Sequence, residues 1–162
     1  NLFNFVLGES SGKFFNLKND KELKISSSSK YIYIFRQDYL NKKIHLNYLG
    51  NYKTKIGSIS LISSTCFIKY NHKEGVCLPY NYIDKLTLEN WKHGDKCIKN
   101  LNSSIKVSDI FINNKISIFE KIFYPIVKYD NAIIWIPNLF HVKIGDVNKS
   151  NEFINLKWNS IL

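Results

Sequence analysis

Pro125-Ile126-Val127-Lys128-Tyr129-Asp130-Asn131-Ala132-Ile133-Ile134-Trp135-Ile136 reads as a β-hairpin. Two β-branched and aromatic runs, Ile126 to Tyr129 and Ala132 to Ile136, flank the polar two-residue turn Asp130-Asn131. Just ahead, Ser117 to Phe123 has the marks of a short helix. Ser117 caps it, Glu120 follows at capping-box spacing, and Pro125 ends it. Ser104 to Lys115 reads as another helix, with Ile105, Ile110 and Phe111 loosely on one face. Earlier still come a short helical turn from Asn81 to Leu86 capped by Asn81, a strand at Leu86-Thr87-Leu88 and a turn at His93-Gly94-Asp95. Phe153 to Trp158 reads as the last strand.

The first half has a strand texture from Lys13 to Tyr80. Tyr31 to Phe35, Ile44 to Leu46 and Val76 to Leu78 are strand candidates. Ile59 to Ile62 and Cys66 to Tyr70, joined by Ser63-Ser64-Thr65, suggest a hairpin. Ser26 to Ser29 and Leu49 to Thr54 read as loops by composition. Leu2, Phe3, Val6 and Leu7 have helical spacing before Gly8, as at the end of a helix. The expected fold class is α+β: a β-rich module of antiparallel strands with two short helices near residues 104–123.

The chain has 162 residues, 44% of them hydrophobic and 15% aromatic. That excludes a disordered or collagen-like chain. No apolar run approaches the ~18–20 residues of a membrane-spanning helix. The net charge is +10, and Arg36 is the sole arginine among 23 basic residues. This lysine bias matches an AT-biased genome, so the charge alone is weak evidence of a polyanionic partner. It is also uneven, with 12 basic and 5 acidic residues in 1–81 against 11 and 8 in 82–162. There is no methionine, so Asn1 is not an ordinary start, and a piece of a longer protein is expected. No signal-peptide pattern opens it. Cys66, Cys77 and Cys97 are odd in number and lack metal-like spacing. They fit buried apolar fillers in a reducing, cytoplasmic setting.

The familiar chemical motifs are missing. Gly8-Glu9-Ser10-Ser11-Gly12-Lys13 has three residues between its glycines where a P-loop needs four, and Phe14 follows the lysine. His45, His72, His93 and His141 have no ligand-like spacing, so no metal site is expected. Asp84 and Glu89 are an ordinary carboxylate pair. Lys92, Lys96, Lys99, Lys106 and Lys115, lying between Trp91 and Phe119, could contact phosphates, or form a solvated face.

Leu86-Thr-Leu-Glu-Asn-Trp-Lys-His-Gly-Asp-Lys96 resembles the L-x-x-R-x-W-K-x-G-D signature that opens the C-terminal domain of tRNA(Ile)-lysidine synthetases. The resemblance continues in order. Lys106-Val-Ser-Asp-Ile-Phe-Ile-Asn-Asn-Lys115 is similar to the family's basic helix, and Ile116 to Tyr124 to the helix after it. Pro125 to Ile136 is similar to its closing hairpin, and Ser11-Gly12-Lys13-Phe14 to a segment after its middle helical domain. Arg36 to Tyr80 is compatible only in texture. The four motifs from Leu86 to Ile136, in one order, are more specific than any alone.

The resemblance implies an ATP-dependent, nucleotide-binding ligase of tRNA modification that attaches free lysine to the wobble cytidine of isoleucine tRNA. It implies ATP and magnesium for the parent enzyme, none bound by this segment, and a catalytic domain whose Ser-Gly-Gly-x-Asp-Ser loop is missing from these residues. The implied domains are 1–12, the end of a helical middle domain; 13–80, a β-rich segment; and 81–162, the C-terminal domain. The implied tRNA contacts are Lys92, Lys96, Lys106, Lys115 and Lys121, with Trp91, Gly94 and Asp95 as structural residues and none catalytic. Four departures stand out. Glu89 replaces a usual Arg, Phe140 another Arg, Asn138 a Gly, and Cys97 to Ser103 the usual P-x-G turn. A Glu in contact with phosphate would repel it. The alternative is a non-catalytic module that braces the catalytic domain without touching RNA. Membrane binding is disfavoured, because no amphipathic helix with a lysine face is long enough.

Overall fold

The computed structural model describes residues 14–17, 20–27, 32–36, 43–71, 73–100, 103–142 and 150–160. In chain order the strands are β1 (Phe14–Leu17), β2 (Asp20–Ser27), β3 (Ile32–Arg36), β4 (Ile44–His45), β5 (Gly50–Lys53), β6 (Gly57–Ser64), β7 (Gly75–Pro79), β8 (Leu86–Asn90), β9 (Lys96–Asn100), β10 (Ser103–Lys106), β11 (Pro125–Tyr129), β12 (Ala132–Ile136), β13 (Phe140–His141) and β14 (Phe153–Ser160). Tyr80–Lys85 forms a 3-10 helix. The α-helices are α1 (Val107–Asn113) and α2 (Ile118–Phe123). The α+β class and its antiparallel character are borne out.

The hairpin β11–β12 closes through Asp130 and Asn131, with φ of 48° and 67°. Positive φ at both turn positions matches the right-handed twist of the flanking strands. Val127 pairs with Trp135 and Lys128 with Ile133, which leaves Ile134 as an extra residue in a bulge. The bulge changes which face β12 presents at each position. Ile134 and Trp135 therefore join one core, and Ile133 and Ile136 the other.

Around this hairpin grows a five-stranded sheet, ordered β13-β12-β11-β8-β4. One face packs on a four-stranded sheet, β5-β6-β14-β7, and encloses Leu46, Ile59, Leu78, Leu86, Trp135 and Leu156, each at most 2% exposed. The other face packs on α1, α2 and the β9–β10 hairpin, through Cys97, Val107, Phe111, Phe123 and Ile126. A separate sheet, β1-β2-β3, precedes both. Strands from either side of residue 80 share the two larger sheets: β4 pairs with β8, and β14 with both β6 and β7.

Several local expectations change. Cys66 to Tyr70 is not a strand; β6 takes its partner from β14, about 90 residues on. The stretch Leu49 to Thr54 contains β5, an edge strand with only Tyr52 buried. Inward patterning is faint on such a strand, so composition alone suggests a loop. Ser26 and Ser27 end β2. The expected helix from Ser104 divides into β10 and α1, because Ile105 pairs with Cys97 across the hairpin and Val107 N–H donates to Asp95 O at 3.0 Å. The Tyr80–Lys85 turn has Pro79 before it and no side-chain cap, so Asn81 does not cap it. Ser117 does cap α2. Its Oγ accepts from Glu120 N–H at 3.2 Å, and its N–H donates to Glu120 Oε2 at 3.0 Å. The expected helix end before Gly8 and the Ser11–Phe14 resemblance lie outside the described residues, apart from Phe14.

Cys77 and Cys97 are buried, whereas Cys66 is exposed and so is no core filler. Burial, with Asp95 adding to it, pushes the Cys97 thiol up to about 12. An unfolded thiol ionises near pH ~8.5. The stability tied to Cys97 is therefore complete below that pH and declines as pH rises toward 12, because the unfolded chain releases a proton that the folded one keeps. Ellman's reagent at pH 8 should label Cys66 rapidly and the other two only on unfolding. Two or more fast thiols, or a fast phase that survives Cys66→Ser, would contradict this packing.

Candidate nucleic-acid interface

Asp95 organises the turn that follows β8. One carboxylate oxygen accepts Lys92 N–H at 2.7 Å, and Asp95 N–H donates to Lys92 O at 3.0 Å. Its carbonyl accepts Val107 N–H and so starts α1 against the turn. Its other carboxylate oxygen accepts from Lys128 Nζ at 3.5 Å. Gly94 has φ of 93° and open space beside it, so backbone conformation and not crowding calls for glycine there.

Lys128 lies on the helix side of β11, its side chain only 11% exposed. It bridges Asp95 and Glu89, whose Oε2 is 3.4 Å away. Lys43 approaches the other oxygen of Glu89 at 3.6 Å, and Thr87 Oγ1 donates to it at 3.4 Å. Two lysines and two carboxylates form a neutral cluster. Glu89 is thus engaged with two internal cations, Lys43 and Lys128. Phe140 likewise packs against the second core. Asn138 has φ of 63°, a left-handed conformation that asparagine tolerates when glycine is absent.

Trp91 joins this turn to the helices. Its Nε1–H donates to Lys121 O, and its ring meets Phe111 edge-on at 5.3 Å. Asn90 Nδ2 donates to Ile122 O at 2.7 Å. Both bonds fix the end of α2 to the end of β8.

The candidate lysines emerge from this frame. Lys96 and Lys106 are directly opposite each other across β9–β10, both exposed. Facing like charges destabilise a strand pair, and neither lysine has an ion-pair partner among the described residues. Lys92 is exposed on the same turn, and half-buried Lys121 follows through the Trp91 bond. Lys115 is exposed at φ 54° beyond α1, whose length of about 10 Å separates it from Lys106. The structure thus brings Lys92, Lys96 and Lys106 together around Asp95, with Lys121 and Lys115 farther out. Residues 91–121 contain six lysines and three acids. Asp95 and Glu120 are committed inward, leaving Asp109 exposed. Lys128 was missed in sequence; its signal was a lone charge inside an apolar hairpin.

No group of histidine, cysteine and carboxylate side chains suited to a metal occurs among the described residues. No helix among them is long and apolar enough to cross a membrane.

No model of a known protein family matches the chain. Among curated proteins, the tRNA(Ile)-lysidine synthases of two Clostridium perfringens strains are 36% identical to it over 92 residues, 54% of this chain. The chain is similar to tRNA(Ile)-lysidine synthase. Its match spans 18% of the length of those relatives. Among solved structures, the crystal structure of the TILS C-terminal domain has a TM-score of 0.66, covering 75% of this chain and 98% of that one at 19% identity. The likeness read from the ordered motifs is therefore borne out in sequence, and the fold is that of the lysidine synthase C-terminal domain.

The Asp95–Lys128–Glu89 cluster should behave as a unit. Lys128→Ala should lower stability by about 3 kcal/mol, because it leaves two largely buried carboxylates without their shared cation. In urea unfolding, Asp95→Ala and Lys128→Ala should be non-additive by about 1–2 kcal/mol. Strict additivity would show that the bridge contributes nothing.

Proposed function

We propose that this chain is the C-terminal tRNA-gripping part of a tRNA(Ile)-lysidine synthase, which uses ATP to attach lysine to the wobble cytidine of isoleucine tRNA. The observation that carries the grip is the Lys96–Lys106 pair, which has no ion-pair partner among the described residues and stands beside Asp95, whose carboxylate is engaged by Lys128. Phosphates placed there relieve the repulsion between the lysines. Lys92 and Lys121 extend the contact on one side and Lys115 on the other. They act by charge and shape, since duplex RNA is read mainly through its backbone and minor groove.

In this reading the segment supplies no catalytic residue and holds neither ATP nor magnesium. Those, and the lysine substrate, belong to a separate catalytic domain of the parent enzyme in the cytoplasm. A second reading is favoured by one observation. Glu89 and Phe140, at usual arginine positions, are turned to internal packing, as in a module that braces the enzyme without touching RNA.

Filter-binding titration of isoleucine tRNA, beside an acidic polypeptide control, separates the two. Lys96→Glu combined with Lys106→Glu should weaken tRNA binding at least tenfold. It should also reduce the slope of log affinity against log salt by about 1.5–2, for two lost phosphate contacts. Unchanged tRNA affinity would favour bracing. Wild-type binding no tighter than to the polypeptide, or insensitive to salt, would sink the grip.

A further inference from the structure

The four-stranded sheet has an outer face, away from both cores. Register sets its rows: Lys53, Ser58 and Asn159 stand side by side, and Asn51, Ser60 and Lys157 form the next row. Lys53 and Lys157 are two strands and one row apart, about 12 Å between Cα atoms. Both are exposed. Strands β5, β6, β7 and β14 contain no acidic residue. Asn159 Nδ2 donates to Ser60 Oγ at 3.1 Å, and Asn155 Nδ2 to Ser64 Oγ at 2.7 Å, so amides and hydroxyls form a ladder between the lysines and the next strand turn.

Asn155 adds an independent sign. It is 3% exposed on this face, yet its Oδ1 has no hydrogen-bond partner among the described residues. Residues 66–70 pass over it. Phe67 meets Phe153 edge-on at 5.7 Å, Ile68 N–H reaches Cys77 Sγ at 3.5 Å, and Lys157 Nζ sits 5.7 Å from the Tyr70 ring. These are weak ties, and Phe67 and Ile68 remain 43% and 40% exposed. A buried acceptor without a donor is uncommon and calls for a partner.

We propose that this outer face is a second RNA-backbone contact. It lies on the opposite side of the five-stranded sheet from the Lys96–Lys106 hairpin, and takes a different segment of the same tRNA. Lys53 and Lys157 neutralise phosphates, the serine and asparagine side chains donate to phosphate oxygens, and a 2′-hydroxyl supplies the donor that Asn155 Oδ1 lacks. The acid-free, hydroxyl- and amide-rich lining complements a polyanion in charge and in hydrogen bonding. This rests on the reading of the chain as tRNA-binding.

Lysine acetylation footprinting of the full 162-residue chain, with and without isoleucine tRNA, tests it. Lys53 and Lys157 should be protected severalfold alongside Lys96 and Lys106. Lys85, paired with Asp130, should keep its reactivity. In filter binding, Lys53→Glu with Lys157→Glu should cost about tenfold in affinity and lower the salt slope by about 1.5–2, in the Lys96→Glu/Lys106→Glu background as well. If Lys96 and Lys106 are protected while Lys53 and Lys157 are not, the second contact is wrong and the tRNA reading stands. If none is protected, both fall. Protection of Lys53 and Lys157 by anionic phosphatidylserine vesicles but not by tRNA would overturn the RNA assignment in favour of a lipid surface.

Discussion

Lys128 is a cation placed inside a sheet, and the module is arranged so that it can stay there. An ammonium group this far from water must be matched by carboxylates with good access to it. Glu89 comes from the neighbouring strand and Asp95 from the turn that follows. Because Asp95 also holds Lys92 and Val107 through the backbone, meeting the lysine's need fixes the turn, and the turn fixes where α1 begins. Trp91 and Asn90 then attach α2 to the same strand end. The placement of the outer lysines follows from this chain of dependence.

The arrangement also separates two kinds of charge. Two of the three acids near the candidate interface are used internally, one in the ion cluster and one in the helix cap, and only Asp109 is exposed among them. Lysines remain outside. A net charge of +10 spread over a lysine-rich chain says little. The same lysines acquire meaning when Asp95 beside them is engaged by Lys128 and two of them face each other across a strand pair. The first half of the chain has the larger excess of charge, but position within the fold, and not the sum, distinguishes a contact surface from an ordinary solvated one.

What the sequence made legible was local. The β11–β12 hairpin and the capping box around Ser117 depend on residues a few positions apart, and both are visible as patterns. The ordered motifs from Leu86 to Ile136 pointed to the correct relatives for the same reason. What remained hidden was distant or weakly patterned. Cys66 to Tyr70 has the composition of a strand, but β14 had already taken the place beside β6. Edge strand β5 buries one side chain and so resembles a loop. The candidate lysines could be named, but not grouped, because the pairing of β9 with β10 has no clear sequence pattern and Ser104 onward has the composition of a helix. Glu89 was readable as a departure. Its partner Lys128 is 39 residues away, and no spacing rule connects them.

Strand β14 is the middle partner of β6 and β7, although it follows both of them in the chain. About 90 residues separate the end of β6 from it. At ~5–20 residues per second, the ribosome needs roughly 5–20 s to cross that gap. For that interval β6 and β7 exist with their shared partner not yet made, and Leu156 and Ile154 are missing from the core that Ile59, Leu61, Val76 and Leu78 share with them. The hairpin β11–β12 and the capped helix can form during the wait, since their contacts are local. The nascent chain is thus left with a finished half and an open half, and the edges of β6 and β7 that β14 later joins are unpaired strand edges until it is made.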